Sequence, residues 1–198
     1  MDNLNLNRDF WEDRYRTQQI GWDIGYPTPA LVNYFNTIAD KQSRILIPGC
    51  GNAYEAQSLL ESGFTHITLI DIAPTAVQHI REKYAAAISN NSLQVIGADF
   101  FDHEAQYDLI IEQTFFCALD PKLRQAYARK MHDLLKPGGK LAGLLFNFPL
   151  TEEGPPFGGS EAEYRELFES LFTLTIDPTP DSIPPRAGRE LFFEAVKR

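Results

Sequence analysis

Cysteine is scarce in this 198-residue chain, and basic residues are outnumbered by acidic ones. The two cysteines, Cys50 in a glycine turn and Cys117 in an apolar stretch, make neither a metal pattern nor a disulfide framework. A reducing, cytoplasmic setting is therefore expected. Lys and Arg number 18 against 27 Asp and Glu, giving a formal net charge of −9. The clustered cations that grip phosphate backbones are missing, which argues against nucleic acid and in favour of small or cationic ligands. Long apolar runs are missing too: the longest, Leu141 to Leu150, is too short to span a bilayer. The opening residues, Met1 to Arg8, carry no basic stretch followed by an apolar one, so neither a leader nor a membrane anchor is expected. No internal repeat or low-complexity tract is visible.

What is present is an alternation. Hydrophobic residues make up 43% of the chain, enough for one α/β domain over residues 1–198 with a sizeable core. Strand patterns fall at 44–47, 66–71, 93–97 and 107–112, with helical patterns at 53–61, 74–88 and 122–135 between and after them. Such alternation builds a parallel sheet covered on both faces. Lys136-Pro-Gly-Gly139 stops the last of these helices and turns the chain into an apolar strand at 140–146. A helix at 160–169 follows, then strands at 172–176 and 191–196 joined by a Pro-rich loop. With no helix between them these two form a hairpin, so the final strand runs antiparallel.

The first strand breaks into Ile47-Pro-Gly-Cys-Gly51, and Asp71 ends the next strand about 20 positions on. Glycines at 49 and 51 let main chain pass close to a ligand, and an acid at the tip of the second strand accepts ribose hydroxyls. A dinucleotide fingerprint wants a third glycine where Tyr54 stands, and Tyr54 would crowd the helix against the strand. That favours S-adenosylmethionine, which has no pyrophosphate to cradle. Asp71 is also a candidate cap for the helix beginning at Pro74, a role compatible with the first. Asp99 is open between a ligand contact and a turn former. Asp102 and His103 read as loop residues, and no metal site is expected. Glu112 and Gln113 end the fourth strand, at the edge where open α/β sheets place ligands. Gln113 could orient a nucleophile or the methionine end of the cofactor, and Glu112 could be a supporting acceptor or a helix cap. Trp11, Tyr15 and Trp22 precede the sheet and need covering, either by packing as a helix on it or by a ligand. Arg186 and Arg189 lie in the loop before the last strand, in solvent or at the pocket.

Several segments together carry a resemblance. They are Phe10-Trp-Glu-Asp-Arg-Tyr15, Gly21-Trp-Asp-Ile-Gly-Tyr-Pro-Thr-Pro29, Thr114-Phe-Phe-Cys-Ala-Leu-Asp-Pro121 and Gly154-Pro-Pro-Phe157, with the glycine turn, Ala98-Asp-Phe-Phe101 and Leu134-Leu-Lys-Pro-Gly-Gly139. The chain resembles the thiopurine methyltransferase superfamily, and within it the plant-type halide and thiol methyltransferases known as "harmless to ozone layer". The resemblance implies a Rossmann-like class I methyltransferase fold: seven strands, mostly parallel with an antiparallel last strand, helices on both faces and an N-terminal helical lid over residues 1–40. It implies that Trp11, Tyr15 and Trp22 close over S-adenosylmethionine, where aromatic faces stabilise the sulfonium. It places Ile72 and Phe100 beside the adenine, Asp99 at its amino group, and an arginine from the 186–189 loop toward the substrate. Trp22, Gln113, Phe157 and Arg186 are thereby the candidate catalytic positions.

Most plant-type relatives carry tyrosine where this chain has Gln113 and Phe157. A halide must exchange its water shell for donors, whereas a thiolate tolerates an apolar wall. The expectation is thus methyl transfer to a thiol or hydrosulfide by a monomeric enzyme. Halide, thiocyanate, thiopurine or metalloid acceptors are the alternatives, and a non-catalytic cofactor-binding module is the alternative outside the enzymes.

Overall fold

The structure, a computed structural model, describes residues 5–152 and 154–198, so the first four residues of the expected 1–40 lid lie outside it. Seven strands form one sheet: β1 (Ile45–Pro48), β2 (Ile67–Asp71), β3 (Leu93–Gly97), β4 (Tyr107–Gln113), β5 (Leu135–Phe146), β6 (Phe172–Asp177) and β7 (Glu190–Lys197). Their order is β3-β2-β1-β4-β5-β7-β6. β1 to β5 run parallel, and β7 lies antiparallel between β5 and β6. The helices are α1 (Arg8–Arg16), α2 (Pro29–Thr37), α3 (Tyr54–Glu61), α4 (Pro74–Lys83), α5 (Ala85–Ser89), α6 (Arg124–Leu134) and α7 (Glu161–Phe168). Among the described residues no helix is long and apolar enough to cross a membrane.

Every residue of β1 and β2 is buried, which explains why β1 and most of β2 are apolar rather than alternating. Successive side chains still part to opposite faces. Ile45, Ile47, Leu69 and Ile111 pack with Leu31 and Phe35 of α2 and Leu59 of α3. Leu46, Ile70 and Ile110 pack with Tyr127 and Met131 of α6 and Phe168 of α7. Strand order reverses where β1 meets β4, the point at which such sheets open a crevice at their carboxyl edge.

Two expectations are corrected. The helical pattern at 74–88 is two helices, because Tyr84 leaves helical geometry at φ −107°, and its hydroxyl donates to the Ala53 carbonyl at 2.6 Å. Lys136-Pro-Gly-Gly139 does end α6, yet it is no separate turn: it lies inside β5, where Leu135 already pairs with Tyr107 and the register then shifts. Gly138, at φ +74°, absorbs that irregularity. Ser160 caps α7 by accepting from the Glu163 amide, the expected sequence sign of a helix start.

Candidate functional site

The turn leaving β1 is built from left-handed backbone: Gly49, Gly51 and Ala53 have φ of +54°, +52° and +51°. Space as well as conformation demands glycine. A Cβ on Gly49 would lie 2.2 Å from the Phe115 ring, and one on Gly51 would lie 2.9 Å from the Tyr15 hydroxyl. Asp71, buried at the tip of β2, ties this turn to the next: Oδ2 accepts from Gly51 N and Oδ1 from Ala73 N, each at 2.9 Å. Burial raises its pKa, and the amides of Ala73, Gly51 and Ile72 oppose that rise. A carboxylate offers about four lone-pair sites, so acceptor capacity remains beyond these two bonds. Tyr54 does not crowd the strand. Its ring leaves the helix toward the N-terminal segment, and its hydroxyl donates to Asp23 Oδ2 at 3.2 Å.

The N-terminal aromatics are gathered. Trp22 meets Trp11 and Tyr15 edge-on, with centroids 5.6 and 5.9 Å apart. Tyr15 is buried, which pushes its hydroxyl pKa up. The segment is pinned at both ends. Glu12 accepts from Thr75 N and Oγ1 at 2.9 and 2.7 Å, which caps the first turn of α4. Buried Thr28 donates its amide to Glu55 Oε1 at 3.1 Å, and its Oγ1 accepts from Gln113 Nε2 at 2.7 Å.

At the end of β4, Glu112 is buried and accepts three hydrogen bonds. Oε1 takes the amides of Phe115 and Phe116 at 2.8 and 2.9 Å, and Oε2 takes the Tyr127 hydroxyl at 2.5 Å. Burial pushes its pKa up to about 7 against these bonds. The clamp surrounds Thr114, a β-branched residue held at φ +58°. Gln113 points its Nε2 to Thr28 and leaves Oε1 buried without a partner.

These elements enclose a cavity of about 680 Å³, within the ~300–1,000 Å³ usual for small-molecule sites. Trp11, Tyr15 and Trp22 line it on one side; Gly49, Gly51, Asp71 and Ile72 line its floor; Asp99 and Phe100 line one end. Asp99 is exposed and also closes a turn by accepting from Phe101 N, while Phe100 is mostly engaged with Phe115 and Tyr127 in the core. Gln113, Arg186 and Arg189 line the other end. Both arginines therefore face the cavity. Arg186 donates from Nη2 to the Trp22 carbonyl at 2.9 Å, and Arg189 lies 4.6 Å over the Phe148 ring.

Phe157 is not brought to the cavity wall. It is buried and absent from the lining, and its amide donates to the Cys117 carbonyl at 2.8 Å. His103 bonds the Tyr107 hydroxyl and stays outside the cavity; no cluster of metal-ligating side chains occurs among the described residues. Asp23, Thr28, Glu55 and Arg124 were not anticipated. Their partners lie far away in sequence, and only the Thr-Pro pair at 28–29, a helix-start signal, was there to be read.

Comparison with known proteins gives concordant results. A family model described as thiopurine S-methyltransferase matches residues 6–196. Probable thiol methyltransferase 2 of Arabidopsis thaliana is 33% identical over 184 residues, which span 91% of this chain and 81% of the relative. Thiocyanate methyltransferase 1 of the same plant is 29% identical over 186 residues, with the same shares covered. Among solved structures, the 1,6-didemethyltoxoflavin-N1-methyltransferase of Burkholderia thailandensis, with 1,6-didemethyltoxoflavin and S-adenosylhomocysteine bound, superposes with a TM-score of 0.74. At 17% identity over 96% of this chain and 86% of that one, it is a likeness of fold.

Proposed function

The chain belongs to the thiopurine S-methyltransferase family and is an S-adenosylmethionine-dependent methyltransferase, and from that premise we propose that its acceptor is a small soft nucleophile, a thiol or hydrosulfide. The residues present fit the cofactor. The glycine turn leaves no room for side chains, Asp71 keeps acceptor capacity beyond its two backbone bonds, and three aromatics stand over the floor. When bound, S-adenosylmethionine supplies an electrophilic methyl group on its sulfonium.

In this reading Asp71 accepts the ribose hydroxyls while Gly49 and Gly51 let the main chain approach. Ile72 and Phe100 flank the adenine, with Asp99 at its amino edge. Trp11, Tyr15 and Trp22 exclude water and present aromatic faces to the cation. Gln113 orients the reacting groups, and Arg186 draws an anionic acceptor into an otherwise acidic protein.

The observation that carries the reading is the composition of the far wall. Beside Gln113, Arg186 and Arg189 it is formed by Phe115, Cys117, Phe146, Phe148, Pro155 and Pro156, and none of the chain's four histidines lines the cavity. Such a wall offers orientation and water exclusion with no imidazole base, which suits an acceptor already partly ionised near neutral pH. The deciding experiment offers hydrosulfide, alkyl thiols, aryl thiols, thiocyanate and iodide to the purified protein. Catalytic efficiency should be highest with a sulfur nucleophile, and Gln113→Tyr should raise turnover of iodide relative to it. Iodide used as well as any thiol would refute the assignment.

A further inference from the structure

Arg124 opens α6 with its side chain only 5% exposed. That is a poor place for a cation. The first turn of a helix presents the positive end of its dipole, and a buried charge is costly unless fully paired. Here pairing is incomplete, because Nε is buried with no acceptor. The remaining contacts all hold the far wall of the cavity. Nη2 donates to the Gly158 carbonyl at 2.7 Å, Nη1 pairs with Glu163 in the first turn of α7, and the guanidinium lies 4.7 Å over the Phe116 ring.

Gly158 and Phe116 belong to two loops that meet along one line. Phe157 donates to Cys117 across it, and Gly158 is packed so closely that a Cβ would lie 2.2 Å from the Phe148 carbonyl. Cys117 from one loop, and Pro155 and Pro156 from the other, face the cavity. A stabilising role does not explain a half-satisfied buried cation, since apolar replacements of such groups are often neutral or better. Its planar fork does suit a spacer of fixed length. We propose that Arg124 is a positioning residue that sets the separation of the 114–119 and 154–159 loops and so shapes the acceptor end of the cavity. The inference rests on the reading of this wall as the acceptor side.

The test compares Arg124→Met and Arg124→Lys with wild type in the whole chain. Thiophenol is the acceptor, with calorimetric titration of S-adenosylhomocysteine, thermal unfolding, and iodoacetamide alkylation of Cys117 and Cys50 read by peptide mass spectrometry. The Met variant should raise the acceptor KM tenfold or more and speed Cys117 alkylation at least as much. Cofactor-product affinity should stay within twofold, Cys50 labelling and Tm should not fall, and Lys should restore part of the KM. Wild-type KM and wild-type Cys117 labelling in a folded Met variant would overturn the proposal, as would a parallel loss of S-adenosylhomocysteine affinity. Should the Met variant fail to fold, the Lys variant decides on the same readouts: a raised KM and faster Cys117 labelling support the role, and wild-type values sink it. A wild-type enzyme inactive on every sulfur acceptor refutes the proposed function, while Cys117 labelling still reports whether Arg124 holds the loops.

Discussion

One end of the cavity is walled by main chain; the other is walled by side chains held by buried charge. The floor is a glycine turn braced by Asp71, whose carboxylate grips two backbone amides within about one βαβ unit. The far wall is assembled from 114–119, 154–159 and 185–189, with Glu112 and Arg124 anchoring loops that have no regular structure of their own beyond short 3₁₀ turns. Main-chain sites are fixed by conformation and tolerate little change. Side-chain walls are fixed by packing and can be re-cut, which is how one fold serves many acceptors.

The sharpest way to break this contrast is Gly49→Ala. A left-handed residue with a Cβ costs about 1–2 kcal/mol, and overpacking against Phe115 adds about 1–3 kcal/mol. Urea unfolding should show a loss of about 3 kcal/mol; an unchanged midpoint would mean that the turn is not conformationally fixed. Next in size is Asp71→Ala, which should weaken S-adenosylhomocysteine by about 1–3 kcal/mol through unmade charge-assisted bonds. Calorimetry checks it, and an unaltered affinity removes Asp71 from the cofactor.

The smallest effect probes the anchors. Glu112 titrates at about 7 when folded, above its usual 4.5, so the folded chain holds that proton more tightly than the unfolded one. Its contribution to stability is full below about pH 4.5 and is lost as pH rises through about 7. Glu112→Gln keeps an acceptor for the Phe115 and Phe116 amides and removes the titration. Its Tm should therefore fall less steeply than that of wild type between about pH 5 and about pH 8. Identical slopes would show that Glu112 does not titrate in this range.

The same contrast governs what could be read from the sequence. Strand order and the glycine turn are local: alternation, β-rich apolar runs and the spacing to Asp71 all act within a few dozen residues. Asp71 was also open to a reading as the cap of α4; in the structure it instead braces the turn before that helix through the Ala73 amide. Gln113 was placed at the sheet edge by the length of β4, but its partner Thr28 is 85 residues away, and Arg124 meets Gly158 across 34. No periodicity encodes such meetings. Phe157 shows the same limit: it is buried outside the cavity lining, with its amide tied to the Cys117 carbonyl of a distant loop. Tyr84 was hidden by helical propensity on both of its flanks, and its hydroxyl bond to Ala53 wins locally.

The position of β7 has a consequence for how the molecule comes into being. β6 pairs with β7 alone, and β5 needs β7 to cover its second edge. β1 to β3 find all their strand partners, and β4 its first, among residues 45–113, and these can pair while later residues are still being synthesised. The strand that completes the other half emerges after the strand it pairs with at the sheet's rim, and it must thread between two elements already made. The two ends of the cavity are therefore completed at different times on the ribosome. A chain interrupted before Glu190 would leave β5 with a bare edge and β6 with no partner, a template for aggregation, in place of a shorter working enzyme.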